Sequence, residues 1–235
     1  ARLCRIHPGA PMTLTITWLS HAGFIFDDGT TRLVVDPFLT GNPTATVDPA
    51  TIDCSHIALT HAHDDHFGDT MDIARRTGAT VHAPFELAEH VQSLGHEHVS
   101  PANPGGTIAT DFGSIAFTHA VHSSSLGGAA MGAACGLVIR MGGQTVYHAG
   151  DTDLFGDMKL IGEIHRPDIA ILPIGDRFTM GPKLASRAAD LIGAPHVIPC
   201  HYDTWPPIAQ DPADLTPSTA TVHVMTPGRP ATIGG

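Results

Sequence analysis

The run Thr60-His61-Ala62-His63-Asp64-Asp65-His66 places three imidazoles and two carboxylates directly behind a short apolar stretch. His61 and His63, two apart on extended chain, can aim at one cation. Asp65 and His66 follow where the chain must turn into a helix, so they can face a second cation beside the first. Borderline divalent ions such as Zn²⁺ take imidazole nitrogen and carboxylate oxygen, and a catalytic site leaves one position open for water. A solvated polar loop is the competing reading, but the order and spacing favour metal.

Further ligand candidates stand at the ends of later apolar runs. His122 follows residues 114–121, Asp151 follows 144–148 through Ala149-Gly150, and His201 follows 196–199. Strand ends that open into loops are where side chains reach a shared crevice, and glycine at 150 permits a close backbone approach. Each oxygen of a carboxylate such as Asp151 can take one cation, so this residue could bridge a pair. No Ser, Cys or Lys stands in a recognisable nucleophile setting, which leaves direct attack by water. Two cations roughly 3.5–4 Å apart can share a water and bring its pKa toward about 7. The expected chemistry is attack of a metal-bridging hydroxide on a carbonyl or phosphoryl centre. Asp65 is placed to orient that water, so Asp65 and Asp151 are the catalytic candidates.

These residues need strands to deliver them. Alternating apolar patterns predict strands over 14–19, 23–26 and 32–36, then 57–60 running into the histidine loop. A helix is expected over 70–76, with Asp69 as N-cap and Gly78 ending it. A strand at 80–82 and a helix at 85–94, stopped by Gly95, complete the first half. The second half repeats the pattern, with strands at 114–121, 134–141 and 144–148, the last two joined by the tight turn Gly142-Gly143. A helix near Leu160, a strand at 168–173, a helix at 183–192 and strands at 196–199 and 221–225 follow. Strand-rich stretches open each half and strand–helix alternation closes it, which suggests two packed sheets with helices outside. Residues 100–106, rich in Pro and Gly, mark the junction of the halves.

Several strings resemble one branch of the metallo-β-lactamase superfamily. THAHDDHFGD (60–69) matches its HxHxDH signature; DPFLTGNP (36–43), HSSS (122–125), YHAGDT (147–152), DMKLIGE (157–163), LPIGDRFTMGP (172–182) and IPCHYDTWP (198–206) match the branch. That branch is a bacterial family of metal-dependent hydrolases close to the ascorbate-6-phosphate lactonase-like proteins and, more distantly, similar to N-acylphosphatidylethanolamine phospholipase D. The resemblance runs from about residue 13 to 228. It implies an α+β fold, a four-layer αββα sandwich, and a dinuclear site. His61, His63 and His122 would hold one metal, Asp65, His66 and His201 the other, with Asp151 between them. Asp36 would brace the histidine loop, unless it is only a turn residue at a strand end. His21 would line the pocket or cap a strand. Asp176, Arg177 and Thr179 are candidate substrate contacts, with a solvated surface arginine the alternative for Arg177. His119, His148 and His165 are expected in structural or surface roles. The small, apolar stretch 127–135 departs from the more polar loop of such relatives, so a borrowed substrate preference does not transfer.

Composition sets the outer limits. The net charge of −11, with only 12 Lys and Arg, offers no basic stripe to displace counterions from a nucleic acid. No apolar run is long enough to span a bilayer. Residues 1–11 read as a leader or a cloning-derived extension ahead of Met12, and 12–235 as one domain. Four widely spaced cysteines read as buried reduced thiols, which points to the cytoplasm. The expectation is a metal-dependent hydrolase of a small-molecule ester, lactone or phosphoester, homo-oligomeric, with two divalent ions; the ligand set favours Zn, and Mn, Fe or Ni would also suit it. The alternatives are a non-catalytic metal-binding or ligand-sensing protein, or a phosphodiesterase acting on nucleotides.

Overall fold

The computed structural model describes residues 13–234, so the segment expected to be a leader (residues 1–11, with Cys4) and Met12 lie outside the described residues. Six strands run in chain order across a first sheet: β1 (Thr15–Ser20), β2 (Gly23–Asp27), β3 (Arg32–Val35), β4 (His56–Ala58), β5 (Thr80–Pro84) and β6 (Val99–Ala102). Pairing is antiparallel through β3 and parallel from β3 to β6. The second half holds β7 (Thr107–Thr110), β8 (Gly113–His119), the separate hairpin β9 (Ser125–Leu126) and β10 (Ala129–Ala130), then β11 (Cys135–Met141), β12 (Gln144–His148), β13 (Ile169–Pro173), β14 (His196–Cys200) and β15 (Thr221–Val222). Its sheet, ordered β15-β14-β13-β12-β11-β8-β7, repeats the sequence of antiparallel then parallel pairs. β16 (Pro230–Ala231) returns to pair with β1. The junction expected at 100–106 is where the chain leaves one sheet for the other.

Alternation explains the layering. In β3, Leu33 and Val35 join the core between the sheets, while Val34 faces outward; β4 splits Ala58 and Ile57 in the same way. Successive strand residues point to opposite faces, and here both faces are apolar because both are covered. Helices α1 (Asp64–Phe67), α2 (Thr70–Thr77) and α3 (Phe85–Ser93) bury Phe67, Ile73, Leu87 and Val91 against the outer face of the first sheet. Helices α4 (Met158–His165) and α5 (Pro182–Ile192) place Ile161, Ala185, Ala188 and Ala189 against the second. Between the sheets lie Phe24, Phe26 and Phe117, all fully buried, each such side chain contributing roughly 1.5–3 kcal/mol. The result is the expected αββα sandwich.

Local details correct three expectations. Asp69 does not cap α2 with its side chain. Instead Oδ2 accepts from the amides of Leu39 (2.8 Å) and Thr40 (2.9 Å), and Oδ1 from the Thr40 hydroxyl, so the carboxylate clamps the loop after β3. The strand expected to start at 168 begins at Ile169, because Asp168 turns its carboxylate to the amide of Thr145 at 2.7 Å. The last predicted strand, 221–225, pairs only over Thr221–Val222.

Candidate metal centre

The site forms where strand ends meet at one edge of the sandwich. The β4 end delivers His61 and His63, and the single turn of α1 delivers Asp65 and His66. His122 follows β8, Asp151 follows β12, and His201 follows β14. Among the non-glycine residues that hold left-handed backbone just past strand ends here are three of the site, His21 (φ 53°) after β1, Asp36 (φ 44°) after β3 and His201 (φ 53°) after β14. Such conformations persist only where surrounding bonds over-determine them, and they collect at functional sites. Here the amide of His201 donates to the carbonyl of His21 at 2.9 Å, tying two of the three together.

The imidazoles and carboxylates fall into three overlapping groups whose ligand atoms lie within 4.8 Å of one another: His61, His63 and His122; Asp65, His66 and His201 together with His21; and His61, His66 and Asp151. Asp151 thus sits between the other two. Its Oδ2 lies 3.0 Å from Nε2 of His201 and 3.5 Å from Nε2 of His122, and its Oδ1 lies 3.3 Å from Nε2 of His66. These approaches are close but misaligned: His66 Nε2, His201 Nε2 and Asp151 Oδ1 are buried with no hydrogen-bond partner among the described residues. Buried polar atoms left in that state are costly, and converging nitrogen and oxygen lone pairs are what a borderline cation satisfies. The donor set therefore fits divalent metal.

Electrostatics agree with the geometry. Burial alone would raise Asp151, yet the positive charges of His201 and His66 hold its carboxyl well below the usual range. Burial works to lower His66, but the carboxylates of Asp151 and Asp36 outweigh it and raise the imidazole. His61, fully buried beside His66, is pushed down. Asp36 accepts from Thr60 through its amide (2.9 Å) and hydroxyl (2.6 Å), and from Nδ1–H of His66 at 2.8 Å. It grips the histidine loop at two points. A ligand imidazole whose other nitrogen is fixed this way has a fixed tautomer and direction.

His21 stands directly after the end of β1 and is not among the residues lining the cavity beside the centre. Burial, then the neighbouring His201, push it down to about 4, so it is neutral, donating from Nε2 to Asp65 (3.1 Å) and accepting at Nδ1 from the Thr204 hydroxyl (2.7 Å). His148 is a buried clamp, donating from Nε2 to the Ala22 carbonyl and accepting the Gly150 amide, each at 3.0 Å. His119 is exposed against Phe155, and His165 is half-buried at the end of α4. Asp176, Arg177 and Thr179 form the turn after β13; Asp176 and Arg177 are exposed.

A cavity of about 500 Å³ opens onto the centre, lined by Phe38, His63, Asp64, Asp65, Ser125, Gly127, Gly128 and Trp205. None of Asp176, Arg177 and Thr179 is among its lining residues. Phe38, Ser125 and Trp205 carry no metal-ligand signal that sequence reasoning could seize on. Their only flag is position, inside the same strings as Asp36, His122 and His201. A polar groove of about 750 Å³ elsewhere, around Asp27, Arg32 and Asp53, holds no cluster of metal-ligating side chains among the described residues.

The profile of the β-lactamase superfamily domain matches residues 15–201, a span that takes in every side chain of the centre. The class of protein is therefore a metal-dependent hydrolase built on that fold. A UPF0173 metal-dependent hydrolase of Thermococcus kodakarensis is 42% identical over 217 residues, 91% of this chain and 96% of its own. Its counterpart in Geobacillus thermodenitrificans is 46% identical over 220 residues, 92% and 94% of the two chains. Among solved structures, Igni18, a metallo hydrolase from the archaeon Ignicoccus hospitalis, superposes with a TM-score of 0.86 at 35% identity, covering 95% of this chain and 99% of its own. The chain belongs to the UPF0173 metal-dependent hydrolase family.

Proposed function

We propose that the protein hydrolyses an ester, lactone or phosphoester of a small molecule at a pair of divalent cations, zinc being the best match to the donors. His61, His63 and His122 would hold one ion, Asp65, His66 and His201 the other, and Asp151 would lie between them. The observation that carries this reading is the set of buried donor atoms His66 Nε2, His201 Nε2 and Asp151 Oδ1, without a hydrogen-bond partner among the described residues and converging on one volume. When bound, such ions lower the pKa of water toward about 7 and polarise a carbonyl or phosphoryl oxygen.

The chain's own groups supply orientation. Asp65, fixed by the Nε2–H of His21, presents a carboxylate at the cavity wall that can accept a hydrogen bond from the attacking water and aim its lone pair. Burial works to raise this carboxyl, but the His21 hydrogen bond and the charge of His66 overcome it, so Asp65 stays ionised and ready to accept. Asp36 and Thr60 keep the histidine loop from turning away.

Three described cysteines are free and buried, which supports a reducing, cytoplasmic setting. No helix among the described residues is long and apolar enough to cross a membrane. Leu160 and Ile164 on α4 and Leu184 on α5 leave apolar side chains exposed, which supports the homo-oligomer the family resemblance implies. The test is hydrolysis of an ester, lactone and phosphodiester panel with and without chelator. Chelation should abolish turnover, added zinc should restore it, and His63→Ala or Asp151→Ala should remove it. A panel with no metal-dependent turnover would favour a binding or sensing protein instead.

A further inference from the structure

The walls of the cavity carry information about what enters it. On one side Phe38 and Trp205 form a shelf, their ring centroids 5.8 Å apart and tilted by 40°. Both rings rest on His21, Trp205 at 5.1 Å and Phe38 at 5.7 Å, and His21 in turn holds Asp65. The shelf is therefore continuous with the metal centre. The cavity is also lined by the tip of the β9–β10 hairpin, Gly127 (φ 57°) and Gly128 (φ 83°), which carries no side chain beyond hydrogen. Both the aromatic pair and the hairpin tip line the one cavity of about 500 Å³. Its carboxylates are Asp64 and Asp65, and among the described residues no Lys or Arg lines it.

We infer that the substrate is an uncharged carboxylic ester or lactone bearing an aromatic or similarly flat apolar group, which lies on the Phe38–Trp205 shelf with its carbonyl toward Asp65 and His63. This rests on the hydrolase reading above and narrows it. Rings of this size stack favourably in offset or tilted geometry. A permanent anion on the substrate's outer part, held away from the metal ions, would lie beside the free carboxylate of Asp64 with no Lys or Arg among the described residues lining the cavity to balance it, an arrangement that disfavours binding. In the reaction, water oxygen bonds to the carbonyl carbon and the carbon–oxygen bond of the ester breaks. One water proton ends on the departing alcohol oxygen, and the product acid gives up the other to solvent. Nothing is oxidised or reduced.

The test compares phenyl acetate with 4-acetoxybenzoate, which adds one carboxylate to the same ring, with ethyl acetate, which has no ring, and with bis(p-nitrophenyl) phosphate. Zinc-loaded protein should favour phenyl acetate over 4-acetoxybenzoate by at least about tenfold in kcat/KM. Trp205→Ala should raise KM for phenyl acetate about tenfold more than it raises KM for ethyl acetate, and Trp205→Phe should restore most of that difference. Equal or better turnover of 4-acetoxybenzoate or of the phosphodiester, or equal effects of Trp205→Ala on both acetates, overturns the inference while leaving a metal-dependent hydrolase in place. Failure of the hydrolase reading looks different: no compound is turned over at any zinc loading. Fluorescence of Trp205 then decides the shelf by itself. Quenching by 2-naphthol but not by 2-naphthoate, lost in Trp205→Phe, supports it; equal quenching by both, or none, overturns it.

Discussion

Oδ2 of Asp36 lies 2.8 Å from Nδ1 of His66, and both side chains are fully buried. The carboxylate can only accept, so an imidazole proton sits on Nδ1, and Nε2, on the Asp151 side, is the nitrogen that gives up its proton to a cation. Asp36→Asn keeps the shape but can present an amide N–H to Nδ1, favouring the wrong tautomer. We expect metal affinity to fall by about 10–100-fold, measured by competition with a chromophoric chelator. Unchanged affinity would show that Asp36 serves only as a turn residue at the end of β3.

Asp69 separates two structural roles. As a helix cap, its loss would cost about 1 kcal/mol and nothing else. As the clamp on Leu39 and Thr40, it also positions Phe38, next in the chain. Asp69→Ala is expected to raise KM for phenyl acetate several-fold, and binding of 2-naphthol should weaken in step. A loss of stability with both constants intact would return it to the ordinary capping role.

Gly150 has φ +63°, and a Cβ there would stand 2.7 Å from the Cys135 carbonyl oxygen and 2.9 Å from Cβ of Thr60. The first neighbour is backbone and the second belongs to the histidine loop, so neither yields cheaply. Gly150→Ala should destabilise the fold by roughly 2–4 kcal/mol, combining left-handed strain with overpacking. Urea unfolding measures this, and metal content should drop as Asp151 shifts.

Away from the centre, His82 on β5 is buried and pushed down to about 4 by burial and by neighbouring His56. Its Nε2 lies 3.0 Å from Nδ1 of His56, whose Nε2 donates to Asp111 at 2.9 Å. In the unfolded chain the imidazole titrates near 6.5. Between these values the unfolded state binds more protons, so this contribution is full above about pH 6.5 and is lost as pH falls through 4. It amounts to roughly 3 kcal/mol. Urea titrations of metal-free protein from pH 7 to 4 should show a shallower slope in His82→Gln. The slope will not vanish, because buried His21, also pushed down to about 4, acts with the same sign.

Much of this is legible in the sequence where chemistry and secondary structure coincide in the chain. His61, His63, Asp65 and His66 are consecutive with a strand end, and His122, Asp151 and His201 each follow an apolar run, so type and position point the same way. The strands that sequence patterns miss are short or carry proline: β6 contains Pro101, β16 begins with Pro230, and the β9–β10 hairpin has two residues per strand. Partners in the fold create these strands, and their own alternation is too brief to show. Phe38 and Trp205 escape notice because a loop aromatic reads as ordinary packing until the rest of the cavity is known. Asp69 misleads because an acidic residue before a helix suits a cap, whereas the bonds it makes go to a loop thirty residues upstream.

The most direct test of the dinuclear centre is an anomalous difference map from crystals grown with zinc, collected at the zinc edge. Two peaks are expected, one among His61, His63 and His122 and the other among Asp65, His66 and His201, with the Asp151 carboxylate between them. A map with no density at either position, or with zinc bound only at other surface histidines, would contradict it.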